Sequence, residues 1–208
     1  MDRRSVTQQV PATGLDLSGF PARPVRQGSQ WRKAHKRENS PWFYDSTPEG
    51  RFNLSDPVGT CYLANTPETA AREVTGPEFL NQGFVNAEFA KARVVSTLEI
   101  PSVPNLAKIT EPKVFIFGIS NELCTMSDYS VTRAWAAAFH TAGFGGIWYH
   151  SRYSTAAKSR SIGIFGAAGE HDGDLGTQQT LTEVLTDMRV PVVEVNRLSD
   201  YRVFDEPR

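Results

Sequence analysis

The chain has 208 residues, 39% of them hydrophobic and 22% charged, with a net charge of −1, which is the composition of one ordinary globular domain. Its two cysteines, Cys61 and Cys124, stand far apart without CxxC spacing, which excludes a disulfide framework and a zinc knuckle and fits a reducing cytoplasm. No stretch approaches the roughly 18 apolar residues of a membrane span, and no apolar run follows the charged N-terminus as a secretory signal would require.

Charge is uneven along the chain. Residues 1–40 hold eight basic side chains against three acidic ones, so the remainder is acidic. Residues 1–28 are rich in Pro, Gly, Gln and Ser and read as a flexible basic leader, although Leu15, Leu17 and Phe20 in LDLSGFP form an apolar cluster able to dock. The ordered domain is expected over 29–208.

GTCYLA reads as a strand with Cys61 and Leu63 on one face and Thr60, Tyr62 and Ala64 on the other. Thr66 then caps a helix with Pro67 at its first position and Glu68 at its positive end, expected to run to about Thr75 before Gly76-Pro77. ARVVSTLEI and KVFIFGI read as strands, the second apolar enough to be buried. SDYSVTRAWAAAFHTAG is a helix whose stripe is Ala134, Trp135, Ala138, Phe139 and Ala142, capped by Ser127 or Asp128 and ended by Gly143. GGIWYHS is a strand with Tyr149 and Ser151 on one face and Trp148 and His150 on the other. The loop RYSTAAKSRS leads to the strand IGIFG, and Leu181, Val184, Leu185 and Met188 mark a helix before a final strand, VPVVEV. The class is mixed, α/β or α+β, with short strands.

Several chemistries lack their residues. There is no GxxxxGK[ST] for a phosphate-binding P-loop, and Gly163, Gly166 and Gly169 do not make the dinucleotide fingerprint. WYHSRY has no glycines flanking its serine, so it is not a nucleophile elbow. His35, His140, His150 and His171 have no metal-ligand spacing, and no metal is expected.

One constellation stands out. Arg51, Tyr62 and Glu73 recur at equal steps through a loop, a strand and the following helix, an arrangement that can turn all three toward one cleft. Pattern alone equally allows a solvated arginine, a core tyrosine and a helix-boundary carboxylate.

EGRFN, GTCYLA, TPETAAREV and FGGIWYHSR, with WRKAH before them, resemble in order and spacing the RES domain family, from about Gln30 to Phe165. The family's polar positions fall on Arg51, Tyr62, Glu73 and Ser151, and Arg32 matches its early arginine; His35 and Arg152 are lesser candidates. The resemblance implies an α+β fold like that of ADP-ribosyltransferases, with two small, mainly antiparallel sheets around a cleft and flanking helices. It implies NAD as substrate and no further cofactor. It also implies a toxin that spends NAD by transfer of ADP-ribose to water or phosphate, checked by a protein antitoxin; protein ADP-ribosylation is the enzymatic alternative. A non-catalytic nucleic-acid-binding module, suggested by the basic leader and WRKAHKR, is the alternative of another class. Direct nucleic-acid or membrane partners are not expected, and a homo-oligomer remains open.

The residues suit that reaction. Loss of nicotinamide leaves positive charge on the ribose, which Glu73 would stabilise. The planar forks of Arg51 and Arg32 match pyrophosphate oxygens. Tyr62 would stack on nicotinamide, and Ser151 would orient a carboxamide, a ribose hydroxyl or the incoming nucleophile.

Overall fold

A computed structural model describes residues 8–100, 105–156 and 158–195. In chain order the elements are β1 (Ala22–Arg23), β2 (Gln30–Lys36), β3 (Phe43–Tyr44), β4 (Val58–Ala64), α1 (Pro67–Gln82), β5 (Val85–Asn86), α2 (Ala87–Lys91), β6 (Arg93–Glu99) and β7 (Leu106–Lys108). There follow α3 (Glu122–Thr125), α4 (Tyr129–Thr141), β8 (Gly146–Tyr149), β9 (Ser161–Ala167), β10 (Gly169–Glu170), β11 (Thr177–Thr180), α5 (Leu181–Asp187) and β12 (Val192–Val193).

Eight strands connect in the order β1-β7-β8-β9-β4-β2-β6-β11, antiparallel except at β7–β8. The run divides in the middle. β4 pairs with β9 along its whole length and β2 pairs with β6 along its whole length, but β2 and β4 share a single register pair, Arg32 with Ala64. Two small sheets therefore meet at one point and open away from it, and α1 crosses beside the opening. The expected α+β class with small sheets and flanking helices is what the chain adopts.

Three cores hold this frame. Phe52, Ala107, Ile147, Tyr149, Trp135 and Phe139 pack α4 against one face of the β4–β9–β8–β7 sheet. Cys61, Leu63, Ile162, Ile164 and Trp148 fill its other face, together with Trp31 and Leu98. All four residues of β8 are buried because both faces are covered. Ala70, Ala71, Val95, Leu181, Val184 and Leu185 seat α1 and α5 on the β2–β6 sheet.

Several local expectations hold: Thr66 caps α1, accepting from the Thr69 N–H, and Asp128 caps α4, accepting from the Ser130 N–H. Others do not. Helix α1 continues through Gly76-Pro77 to Gln82 and ends at Gly83, whose φ of 77° suits a glycine. Pro77 lacks only the N–H that would reach the Glu73 carbonyl, and buried Gly76 gives the Tyr153 ring its seat: a Cβ there would lie 2.4 Å from the ring. KVFIFG forms no strand but a 3-10 turn, Pro112–Phe117, closed by Gly118 at φ 79°. With three residues per turn, Val114 is buried and Phe117 packs partly against the core, leaving Phe115 and Ile116 each 79% exposed. VPVVEV shrinks to Val192–Val193, paired in parallel with β5.

The flexible leader is also corrected over its described part, residues 8–28. Leu17 and Phe20 are buried, and the Phe20 ring packs tilted or edge-on against Phe117, Phe139 and Phe144 with centroids 4.9, 4.9 and 5.8 Å away. The Gln8 amide donates to the Gly118 carbonyl, the Trp135 indole donates to the Gln9 carbonyl, and β1 pairs with β7. Average composition hid a few apolar anchors that complete the core over α4. Residues 1–7 lie outside the described part.

Candidate active site

The opening between the two sheets is a cleft of about 380 Å³, the size of a small-molecule site. β2 contributes Arg32 and Lys33, β4 contributes Thr60, Tyr62 and Ala64, and α1 contributes Glu73 and Pro77. Arg51 enters from the loop before β4, and Tyr149 and Ser161 come from β8 and β9. The face of β4 expected to carry Thr60, Tyr62 and Ala64 is the one that faces the cleft.

Arg51, Tyr62 and Glu73 therefore do share one site. Their environments differ. The Tyr62 hydroxyl accepts from the Phe52 N–H at 2.8 Å and donates to Asn53 Oδ1 at 2.7 Å, so it clamps the turn that presents Arg51. Asn53, itself buried, ties the other end of that turn by donating to the Thr47 carbonyl at 2.9 Å. Burial pushes the Tyr62 hydroxyl well above the ordinary tyrosine range, so it stays protonated. Arg51 Nη1 donates to the Met126 carbonyl at 2.6 Å, and its guanidinium lies over the Tyr129 ring, 5.0 Å from the centroid. Thr132, in α4, donates to the Arg51 backbone carbonyl.

Glu73 projects from α1 into a nest of hydroxyls. Ser161 Oγ donates to its Oε1 at 3.3 Å, and the nearby Ser151 side chain also favours the charged form. Burial raises the carboxyl above its ordinary range, and the two serines, then the charges of Arg51 and Arg152, act in the opposite direction. Ser151 itself is buried in the turn after β8, accepting from the Tyr153 N–H at 3.3 Å, and does not line the cleft.

The β2 wall is barer. Arg32 Nη1 donates to the Gln30 carbonyl at 3.1 Å, but its Nε is buried with no partner. Lys33 is committed, donating to the Phe43 carbonyl at 2.9 Å and to Cys61 Sγ at 3.3 Å. His35 sits in the same strand but outside the cleft: its ring bonds Ser96 Oγ and the Lys36 carbonyl, each at 2.8 Å. Arg152 is exposed, its guanidinium 5.5 Å from the Tyr153 ring centroid, and acts on Glu73 only through its charge.

Sequence reasoning did not single out Ser161, Tyr149, Tyr129 or Tyr153. Nothing local marks Ser161, whose neighbours are set by strand register. No group of His, Cys, Asp and Glu side chains among the described residues could hold a metal ion, and no described helix is long and apolar enough to cross a membrane.

Comparison with known proteins meets this geometry. No match is found among curated proteins. A chain in the crystal structure of the M. tuberculosis MbcT–MbcA toxin–antitoxin complex is similar in fold, with a TM-score of 0.59 at 13% identity over 78% of this chain and 90% of that one. The RES domain model matches residues 29–186, which include every cleft residue named above. The chain belongs to the RES domain family.

Proposed function

We propose that this protein cleaves the bond between nicotinamide and ribose in NAD, passing ADP-ribose to water or phosphate, and that it acts as the toxin of a toxin–antitoxin pair. The observation that carries the reading is the pairing of the Glu73 carboxylate, held in its hydroxyl nest, with Arg51 and the unsatisfied Arg32 Nε across one cleft.

The C–N bond breaks with its electron pair going to the ring nitrogen, so nicotinamide leaves neutral and the ribose carries the positive charge. Glu73 faces that charge as a carboxylate already in place, and no reorganisation is needed at the moment of reaction. A buried donor without a partner costs about 1–3 kcal/mol, and a pyrophosphate oxygen is the acceptor Arg32 Nε lacks. Arg51 supplies the second cation. Tyr62 has both hydroxyl bonds committed to the Arg51 turn, so its contribution to nicotinamide is the ring, and its hydroxyl is structural. Water then attacks the sugar and gives up a proton; hydrogen phosphate attacks in the same place and gives ADP-ribose 1″-phosphate.

Fold similarity to a chain recorded with an antitoxin supports a protein inhibitor as partner. Transfer to a protein side chain shares the bond-breaking step and is separated by products. Purified protein is incubated with NAD, with and without phosphate and with cell lysate. Nicotinamide with ADP-ribose or its phosphate supports the reading. Label appearing on protein instead would favour protein ADP-ribosylation, and intact NAD in all three would overturn both.

A further inference from the structure

The leader meets the backbone beside α3 through one buried residue, Gln8. Its side-chain Nε2 donates to the Gly118 carbonyl at 2.9 Å, and its Oε1 accepts from the Ser120 N–H at 2.8 Å and the Ser120 hydroxyl at 3.2 Å. A primary amide carries donor and acceptor side by side, so it can grip a carbonyl and an N–H two residues apart. The backbone of Gln8 adds a further tie: its N–H donates to Glu122 Oε2 at 2.7 Å, a charge-assisted bond.

Glu122 passes that tie on. It opens α3, and its carbonyl accepts from the Met126 N–H at 2.8 Å, while the Met126 carbonyl accepts from Arg51 Nη1 at 2.6 Å. Three hydrogen bonds therefore run in series from the leader to the guanidinium: Gln8 to Glu122, Glu122 to Met126, Met126 to Arg51. A helix of four residues is a single turn, too short to hold its place by its own hydrogen bonds. Leu123 and Cys124 bury one side of it, and Gln8 holds the end where it begins. We infer that Gln8, acting with Glu122, is a positioning residue for Arg51: it sets the Met126 carbonyl that aligns the guanidinium over the Tyr129 ring. Gln8 precedes residues 29–186, so one end of this mount lies outside the family match.

Arg51 has other holds, and they act on a different part of it. Thr132 donates to its backbone carbonyl, and the Tyr62 hydroxyl accepts from the next N–H, that of Phe52. Those bonds fix where the Arg51 backbone stands, whereas the Met126 carbonyl and the Tyr129 ring hold its guanidinium. Loss of Gln8 therefore changes the direction of the fork and leaves its anchoring point in the chain. The link is a property of the folded chain; its consequence for turnover rests on the proposed role of Arg51.

The test observes the Arg51 guanidinium in the full chain by NMR of isotope-labelled arginine, assigned by the signal lost in Arg51→Lys. Gln8→Ala and Glu122→Ala are each expected to move that signal toward the position of a free arginine, because the Met126 carbonyl loses its mount. Glu122→Gln keeps an acceptor for the Gln8 N–H and leaves the signal in place. A role in stability alone would lower the melting midpoint of the alanine variants without moving the signal. An unmoved signal in either folded alanine variant, or a shift in Glu122→Gln as large as in Glu122→Ala, overturns the link. In NAD turnover Gln8→Ala lowers kcat by about three- to tenfold with KM nearly kept, the effect of a misdirected group. A moved signal with unchanged kcat overturns the positioning role. Wild-type protein that consumes no NAD while its Arg51 signal moves as described contradicts the proposed reaction and upholds the link.

Discussion

The two walls of the cleft are built on opposite plans. Toward β4, β9 and β8 the functional groups are held by others: Tyr62 by Phe52 and Asn53, Arg51 by Met126 and Tyr129, and Glu73, reaching across from α1, by Ser161. On the β2 side Arg32 keeps a buried donor without a partner. The difference teaches how such a site divides its work. Groups that meet developing charge gain from being fixed before the reaction, whereas a group that grips a substrate gains from being unsatisfied until the substrate arrives.

The comparison breaks hardest from beneath. The locked wall rests on the core that Phe20 completes, so Phe20→Ala is expected to cost about 3–5 kcal/mol in urea unfolding. Deleting residues 1–27 is likewise expected to destabilise the domain, and wild-type stability in either form would show that the leader only rests on the surface. Next comes the charge itself. Glu73→Gln should lower NAD turnover by at least about a hundredfold in a folded protein. Its thermal midpoint at neutral pH should be equal to or above wild type, since the raised Glu73 carboxyl binds its proton more tightly folded than unfolded; its ionisation costs stability as pH rises through the folded midpoint.

Tyr62→Phe strands the Phe52 N–H and Asn53 Oδ1, an expected loss of about 1–3 kcal/mol with a lower kcat from a loosened Arg51 turn; an unchanged melting curve would deny the clamp. The smallest effect sharpens the contrast: Arg32→Ala should raise KM for NAD by about tenfold with kcat nearly kept, because it removes grip and not transition-state charge. A loss confined to kcat would place Arg32 with the locked wall. With pH, turnover should fall as acidity protonates Glu73, at a midpoint above the ordinary glutamate value because burial outweighs its donors.

Much of this frame was legible beforehand. β4 and the start of α1 are announced by the Cys61 and Leu63 face of GTCYLA and by Thr66-Pro67, local signals that tertiary context had no reason to override. The helix end was misread because Gly76-Pro77 is a stop signal in isolation, while in the fold Gly76 receives the Tyr153 ring. KVFIFG misled because an apolar run has no period to separate a strand from a tight turn. Arg51, Tyr62 and Glu73, singled out by equal spacing and motif resemblance, line one cleft, but Ser161 was not singled out, since its meeting with Glu73 depends on the register of β9 against β4 and β8. Ser151, which the motif resemblance points to, does not line the cleft and bears on Glu73 electrostatically.

The central claim is that Glu73, in its hydroxyl nest, drives loss of nicotinamide. Its most direct test is the rate of nicotinamide release from NAD by the purified full chain, measured side by side for wild type and Glu73→Gln at neutral pH. Steady release by the wild type that falls at least about a hundredfold in a folded Glu73→Gln is the predicted result. Equal rates in the two proteins, or no release by the wild type, would contradict the account.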